Sequence, residues 1–129
     1  MTLSQAMRSS SSGLTAERFR LDIISTNIAN ANSMRTRDKE AYRRQVVVFT
    51  GDDNGVKIER IANDMSDLRK EMDPGNPNAD ADGFVYFSNV QPISEMVDMI
   101  SATRAYEANV SAFNSAKGML RSALSISGV

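Results

Sequence analysis

Apolar residues between Pro92 and Ile126 recur in alternating steps of three and four: Met96, Met99, Thr103, Tyr106, Val110, Phe113, Lys117, Leu120 and Leu124. Only Thr103 and Lys117 in this series are not apolar. This heptad-type stripe predicts a long helix whose seam faces another helix. A helix of that length runs to about 50 Å, more than the remaining chain can cover. Pro92 suits a first helical turn. Glu95 and Asp98 near its start, and Lys117 and Arg121 near its end, complement the helix dipole.

A second helix is predicted at the N-terminus, where Met7, Leu14, Leu21 and Ile28 repeat every seven residues. Leu3, Ile24 and Ala31 fill the offset positions, while Ser10 and Glu17 interrupt that second row. The seam is therefore good from Leu14 onward and weak before it. The run Ser9-Ser10-Ser11-Ser12-Gly13 is a poor helix interior, because serine competes for backbone hydrogen bonds and glycine costs about 1 kcal/mol against alanine. It stays helical only if partners clamp it.

The apolar period disappears from Asn30 to Ala41, which reads as a polar loop. Residues 42–50 are β-branched and aromatic, and predict a strand. Asn54-Gly55 is a hairpin signal, since both tolerate the positive φ of a type I′ turn, and Val56, Ile58 and Ile61 lie on the return, making 42–61 a β-hairpin. Residues 63–72 fit either a short helix, through Met65, Leu68 and Met72, or a bulged strand. Asp73-Pro74-Gly75-Asn76-Pro77 stops any helix, and Phe84–Ser88 predicts a third strand. The expected class is α+β: long N- and C-terminal helices pairing as a coiled-coil-like bundle, with a small β-hairpin-based lobe between them. The expected division is an N-terminal helical segment 1–33, a β-rich insert 34–91 and a C-terminal helix 92–129.

Composition narrows the function classes. The sequence has no cysteine and no histidine. That removes disulfides, thiolate metal sites and the usual general base, so neither an enzyme nor a cofactor is expected. A net charge of −1 provides no single-sign field for nucleic acid or anionic lipid. No apolar run approaches the roughly 18 residues of a membrane span, and Met1–Ser12 lack the apolar core of a secretory signal.

Four local signals invite chemistry. Asn78-x-Asp80-x-Asp82-Gly83 resembles the start of a calcium loop. However, Asn89 stands where the bidentate Glu belongs, so the turn reading is preferred. The basic residues Arg35, Arg37, Lys39, Arg43 and Arg44 are interleaved with Asp38 and Glu40, which favours a solvated or partner-facing loop over a nucleic-acid site. Asn27, Asn30 and Asn32 cluster at the end of the first helix, either as helix terminators or as buried polar residues that set register. Arg104 and Glu107, flanking Tyr106, form either a surface ion pair or an interhelical contact.

Ser12-Gly-Leu-Thr-Ala16, Arg18, Asp22 and Ser25-Thr-Asn-Ile-Ala-Asn-Ala-Asn32 resemble the N-terminal signature of flagellar rod and hook proteins. Asn89-Val90 followed by Glu95–Val110 resembles their C-terminal signature, and Tyr42-Arg-Arg44 with Asp73–Asp80 point to the rod members. The chain has Ser33 where the family usually has Thr, and Asp38–Ala41 where a Gly/Pro turn is common. The resemblance implies a bacterial structural protein of the flagellar basal body, exported through the flagellar type III apparatus without a cleaved signal. It further implies assembly in the periplasm with copies of itself and other rod proteins into the drive shaft. Terminal helices would line the inner tube, the β lobe would face outward, and export information would lie within Met1 to about Asn32. No nucleic-acid partner and no membrane span are implied. The expected helix or subunit contacts are Leu14, Leu21, Ile24, Asn27, Ile28 and Asn30 on the first helix. On the second they are Met96, Met99, Arg104, Tyr106, Glu107, Asn109, Val110, Phe113 and Leu120. A small soluble helical binding module or export adaptor is the rival reading. An isolated subunit is expected to be partly disordered at its ends.

Overall fold

The computed structural model describes residues 1–128; Val129, the last residue of the expected C-terminal segment, lies outside them. Helix α1 spans Leu3–Ala29 and helix α2 spans Pro92–Ile126. Between them lie strands β1 (Gln45–Asp52), β2 (Gly55–Asn63), β3 (Arg69–Met72) and β4 (Phe84–Phe87). The strands make two separate antiparallel ribbons, β1–β2 and β3–β4. The α+β class and the helix pair agree with the expectation.

Helix α1 starts earlier and more firmly than its weak first seam suggests. Thr2 caps it, accepting from the Gln5 backbone at 3.2 Å while the Gln5 side chain accepts from the Thr2 backbone at 2.8 Å. This reciprocal box satisfies two of the otherwise unpaired first-turn donors. The serine run is helical because the hairpin clamps it. The hydroxyl of Ser12 donates to Ser9 O at 2.7 Å and accepts from the backbone of Val56 at 3.0 Å. Gly55, with φ of +128°, brings the strand backbone against Ser12 and Ser9, where a Cβ would collide with the Ser12 side chain.

The hairpin turn differs from the type I′ expectation. Among the described residues only glycines have positive φ, so Asp53 and Asn54 do not adopt it and Gly55 carries the whole departure. The register slips between Val48 and Phe49, leaving Glu59 unpaired as a bulge. Strand β1 begins at Gln45 rather than at Tyr42. The ambiguous stretch 63–72 resolves against a helix: Asn63 ends β2, and Arg69–Met72 pair with Phe84–Phe87. The partner strand β4 supplies the ladder that Met65, Leu68 and Met72 could not announce by spacing.

The helices are antiparallel, because Asn27 of α1 meets Glu95 of α2 while Gly13 lies against Asn109. Helix α1 packs on α2 along one side and on β1 and β2 along another. Its buried residues are Gly13, Ala16, Ile24 and Asn27. On α2 the buried residues are Glu95, Ala102 and Ala116. With half-buried Asn109 these form a line repeating every seven residues. The seam is thus rotated from the predicted stripe. The line Met99, Tyr106, Phe113, expected as the seam itself, lies half-buried beside it, and Met96 and Leu120 are exposed. Small side chains let the two backbones come close, so the helices meet along alanine and glycine rather than along the largest residues.

Candidate functional site

A polar hub ties the helix pair to the lobe where α1 ends and α2 begins. Asn27, fully buried on the last turn of α1, uses its side-chain amide on both sides. Its Nδ2 donates to Gln45 O at 2.9 Å and to Glu95 Oε2 at 3.1 Å. Its Oδ1 accepts from the Tyr42 hydroxyl at 2.8 Å and from the Gln45 backbone at 3.0 Å. Of the two sequence readings of the Asn cluster, Asn27 takes the buried polar one: it joins α1, β1 and α2.

Glu95 has the same position on α2. It lies in the first turn, where an acidic residue suits the dipole, yet its carboxylate turns inward and is fully buried. Arg44 Nε donates to it. The same guanidinium reaches Asp98 Oδ2 at 3.1 Å and Asp64 Oδ2 at 3.5 Å. Burial opposes the Arg44 charge, but the hydrogen bond and charge of Glu95, with Asp98 and Asp64, outweigh it and hold the pKa above its ordinary value. Burial, helped by the Glu95 charge, raises the Tyr42 hydroxyl. Asp64 is held low chiefly by hydrogen bonds from the backbone and hydroxyl of Ser66, with a smaller contribution from Arg44.

Asn89 closes the hub. Its Oδ1 accepts from the Arg44 backbone at 2.7 Å, and its Nδ2 donates to Asp64 O at 2.9 Å and Ser66 O at 3.2 Å. Ser33 accepts from the Tyr42 backbone at 3.0 Å, a bond that either serine or threonine can make. Among the described residues no buried side-chain nitrogen or oxygen lacks a partner. The hub is therefore a closed structural network, with no free group aimed at a ligand.

The other expected contacts spread along the helices. Ile24 is buried, and Leu14, Leu21, Ile28, Met99, Tyr106, Val110 and Phe113 are half-buried. Asn30 caps α1, its side chain donating to Thr26 O at 2.8 Å. Asn109 donates to Ala105 O at 3.0 Å and lies over Gly13. Arg104 and Glu107 are exposed, and among the described residues no ion pair joins them. Asp80 organises its own loop, accepting from the backbones of Asp82 and Phe84 at 2.9 Å and from the Tyr86 hydroxyl at 3.0 Å. The basic cluster divides. Arg44 enters the hub, Arg43 donates to Ser66 O, and Arg35 stacks on Tyr86 while pairing with Glu40.

Periodicity did not bring out Tyr42, Arg44, Asp64 and Asn89 as contacts, nor the inward role of Glu95. The one available signal was the acidic residue in the first turn of α2, which the helix dipole alone already accounted for. The helices also leave two apolar surfaces uncovered: Ile93, Met96, Val97 and Ile100 at one end of α2, and Met119, Leu120, Leu124 and Ile126 at the other. Among the described residues no helix is long and apolar enough to cross a membrane.

Residues 7–33 match the family described as flagella basal body rod protein, and residues 81–126 match the flagellar basal body rod FlgEFG protein C-terminal family. Proteins called flagellar basal-body rod protein FlgC align over nearly the whole chain. The one from Borreliella burgdorferi is 42% identical over 98% of each chain. The one from Bacillus subtilis is 39% identical over 98% of this chain and 99% of its own. The Salmonella typhimurium protein is 36% identical over 89% of this chain and 90% of its own. With both helices matched and the alignments running through the lobe between them, this chain belongs to the flagellar basal-body rod protein family.

Proposed function

We propose that the chain is a structural, non-catalytic subunit of the bacterial flagellar rod, built into its proximal part, where the rod transmits motor torque across the periplasm. The observation that carries this reading is the match of the whole chain to rod proteins called FlgC, in a fold whose longer helix leaves apolar surface open at both ends. Among the described residues no element covers those surfaces, which is what a component of a larger assembly requires.

In this reading residues 1–33 and 92–129 form the inner-tube part, and residues 34–91 form a lobe on the outside. Export passes through the flagellar type III apparatus, read from the N-terminal segment, with no cleaved signal. The neighbours are other rod proteins and further copies of this chain. The hub around Arg44 joins the lobe to both helices through hydrogen bonds and ion pairs, so that lobe and helices move together. The whole-chain match to rod proteins favours this reading over a binding module or export adaptor.

The experiment is genetic and biochemical together. A strain lacking this gene is expected to be non-motile, and to regain motility with the intact chain, which should then be present in purified basal bodies. Rods that form and turn normally without the chain would refute the reading.

A further inference from the structure

Asn54 stands at the tip of the β1–β2 hairpin and is the chain's only asparagine followed by glycine. Its backbone N–H donates to Asp52 Oδ1 at 2.8 Å. Its side chain is exposed, and among the described residues its amide has no hydrogen-bond partner. Other asparagines differ. The side-chain amides of Asn27, Asn30, Asn76, Asn78, Asn89 and Asn109 each donate to an acceptor. Asn114 lies inside α2, where the helix holds the following N–H along its axis. Asn63 is held in β2 opposite Gln45, and the nitrogen after Asn32 donates to Asn30 O at 3.1 Å. Asn54 alone combines an untied amide with a following nitrogen that no side chain shields. Opening of the outermost hairpin pair, Asp52 with Gly55, frees that nitrogen, and such an end pair opens more readily than the strands behind it.

We propose that Asn54 is a site of spontaneous covalent modification, whose isoaspartate product releases the hairpin's clamp on α1. The Gly55 nitrogen attacks Asn54 Cγ, an intramolecular step favoured by proximity. The new N–Cγ bond closes a cyclic imide, the Cγ–Nδ2 bond breaks, and Nδ2 leaves as ammonia with the proton given up by Gly55. Water then opens the ring. Opening at Cγ leaves aspartate; opening at the main-chain carbonyl leaves isoaspartate, with the chain running through Cγ. One water is consumed and one ammonia released, and no oxidant or reductant is needed. Isoaspartate lengthens the main chain by one carbon–carbon bond, about 1.5 Å, immediately before Gly55. Gly55 is pressed on Ser12 and Ser9 with no room for an added atom. The strand therefore shifts, the bond from the Val56 backbone to Ser12 at 3.0 Å is lost, and the serine run of α1 loosens. Aspartate keeps the original chain length and leaves the clamp in place.

The test incubates the purified full chain, folded, at mildly alkaline pH, beside N54Q and N54D. Peptide mapping follows the mass gain and the isoaspartate linkage, and hydroxylamine cleaves the chain between residues 54 and 55 wherever the imide is present. The proposal expects reaction at Asn54 at least about tenfold faster than at any other asparagine, a barrier difference of about 1.4 kcal/mol. N54Q should show neither product nor cleavage. Amide exchange in residues 4–13 should accelerate in proportion to the isoaspartate formed, and N54D should exchange there like the parent. An Asn54 that stays intact in the folded chain while the urea-unfolded chain reacts would overturn the proposal, since the turn would then withhold the geometry. Unchanged exchange in residues 4–13 of the isoaspartate form would overturn the release of the clamp. Acceleration in N54D equal to that of the isoaspartate form would do so too, because charge rather than chain length would then be the cause.

Discussion

At the scale of residues the account turns on Glu95, Arg44 and Asn27. Glu95 is buried with partners on both sides, so truncating it leaves Arg44 and Asn27 without their acceptor. Glu95→Ala is expected to destabilise the subunit by about 3–5 kcal/mol, measured by urea unfolding. Asp98→Ala removes a part-exposed partner of the same arginine and should cost no more than about 1 kcal/mol. Equal effects of the two changes would show that the hub is not organised around Glu95. Tyr42 gives a pH signature. Its folded pKa lies above the ordinary value of 10.0, so its contribution is complete below that pH and is lost as pH rises through the folded value. Stability should therefore fall on the alkaline side of about pH 10. Tyr42→Phe should flatten that limb at some overall cost, and an unchanged alkaline slope in the variant would contradict the assignment.

Gly13 tests the close approach of the helices. A Cβ there would sit 2.8 Å from the Asn109 side chain. Gly13→Ala gains helix propensity of about 1 kcal/mol but crowds the crossing by about 1–3 kcal/mol. The net change is expected to be unfavourable in the parent chain and favourable once Asn109→Ala has cleared the space. A double-mutant cycle with no coupling would remove this contact from the account.

At the scale of elements, the helices and the first hairpin were legible because their signals are local: heptad spacing, β-branched runs, Asn54-Gly55 and Pro92. The face on which the helices meet was less legible. Counting large apolar residues selects Met96 and Leu120, yet close packing selects Ala102 and Ala116, whose small size leaves no strong mark in a hydrophobic pattern. The hub was hidden for another reason. Arg44, Asp64, Asn89 and Glu95 stand on four segments, and only the antiparallel register brings them together. Tyr42 and Arg44 stood inside a motif that identified the family without revealing what their side chains hold. Strand β3 was ambiguous because its four residues are all exposed and its order comes from pairing with β4. The clamp of the hairpin on the serine run yields a further prediction. Gly55→Ala forces a side chain into a positive-φ site pressed on Ser12, so amide exchange in residues 4–13 should accelerate together with that of β2. Faster exchange in β2 alone would mean that the serine run holds itself.

At the scale of the whole molecule, a long helix pair carries a lobe fastened by the hub at one end and by the Ser12 clamp further along α1, and leaves apolar surface open at both ends of α2. In the isolated subunit the C-terminal segment 120–126 should exchange its amides rapidly, while the turn around Glu95 is protected by the hub. In the rod both should be protected. The central claim is that this chain is a rod subunit whose uncovered helix surfaces are covered by neighbours. A density map of purified rods containing the chain tests it most directly. The account predicts the α1–α2 pair on the inner wall, the lobe outside, and Ile93–Ile100 and Leu120–Ile126 buried against adjacent chains. A map in which those surfaces face solvent, or in which the chain lies outside the rod, would contradict it.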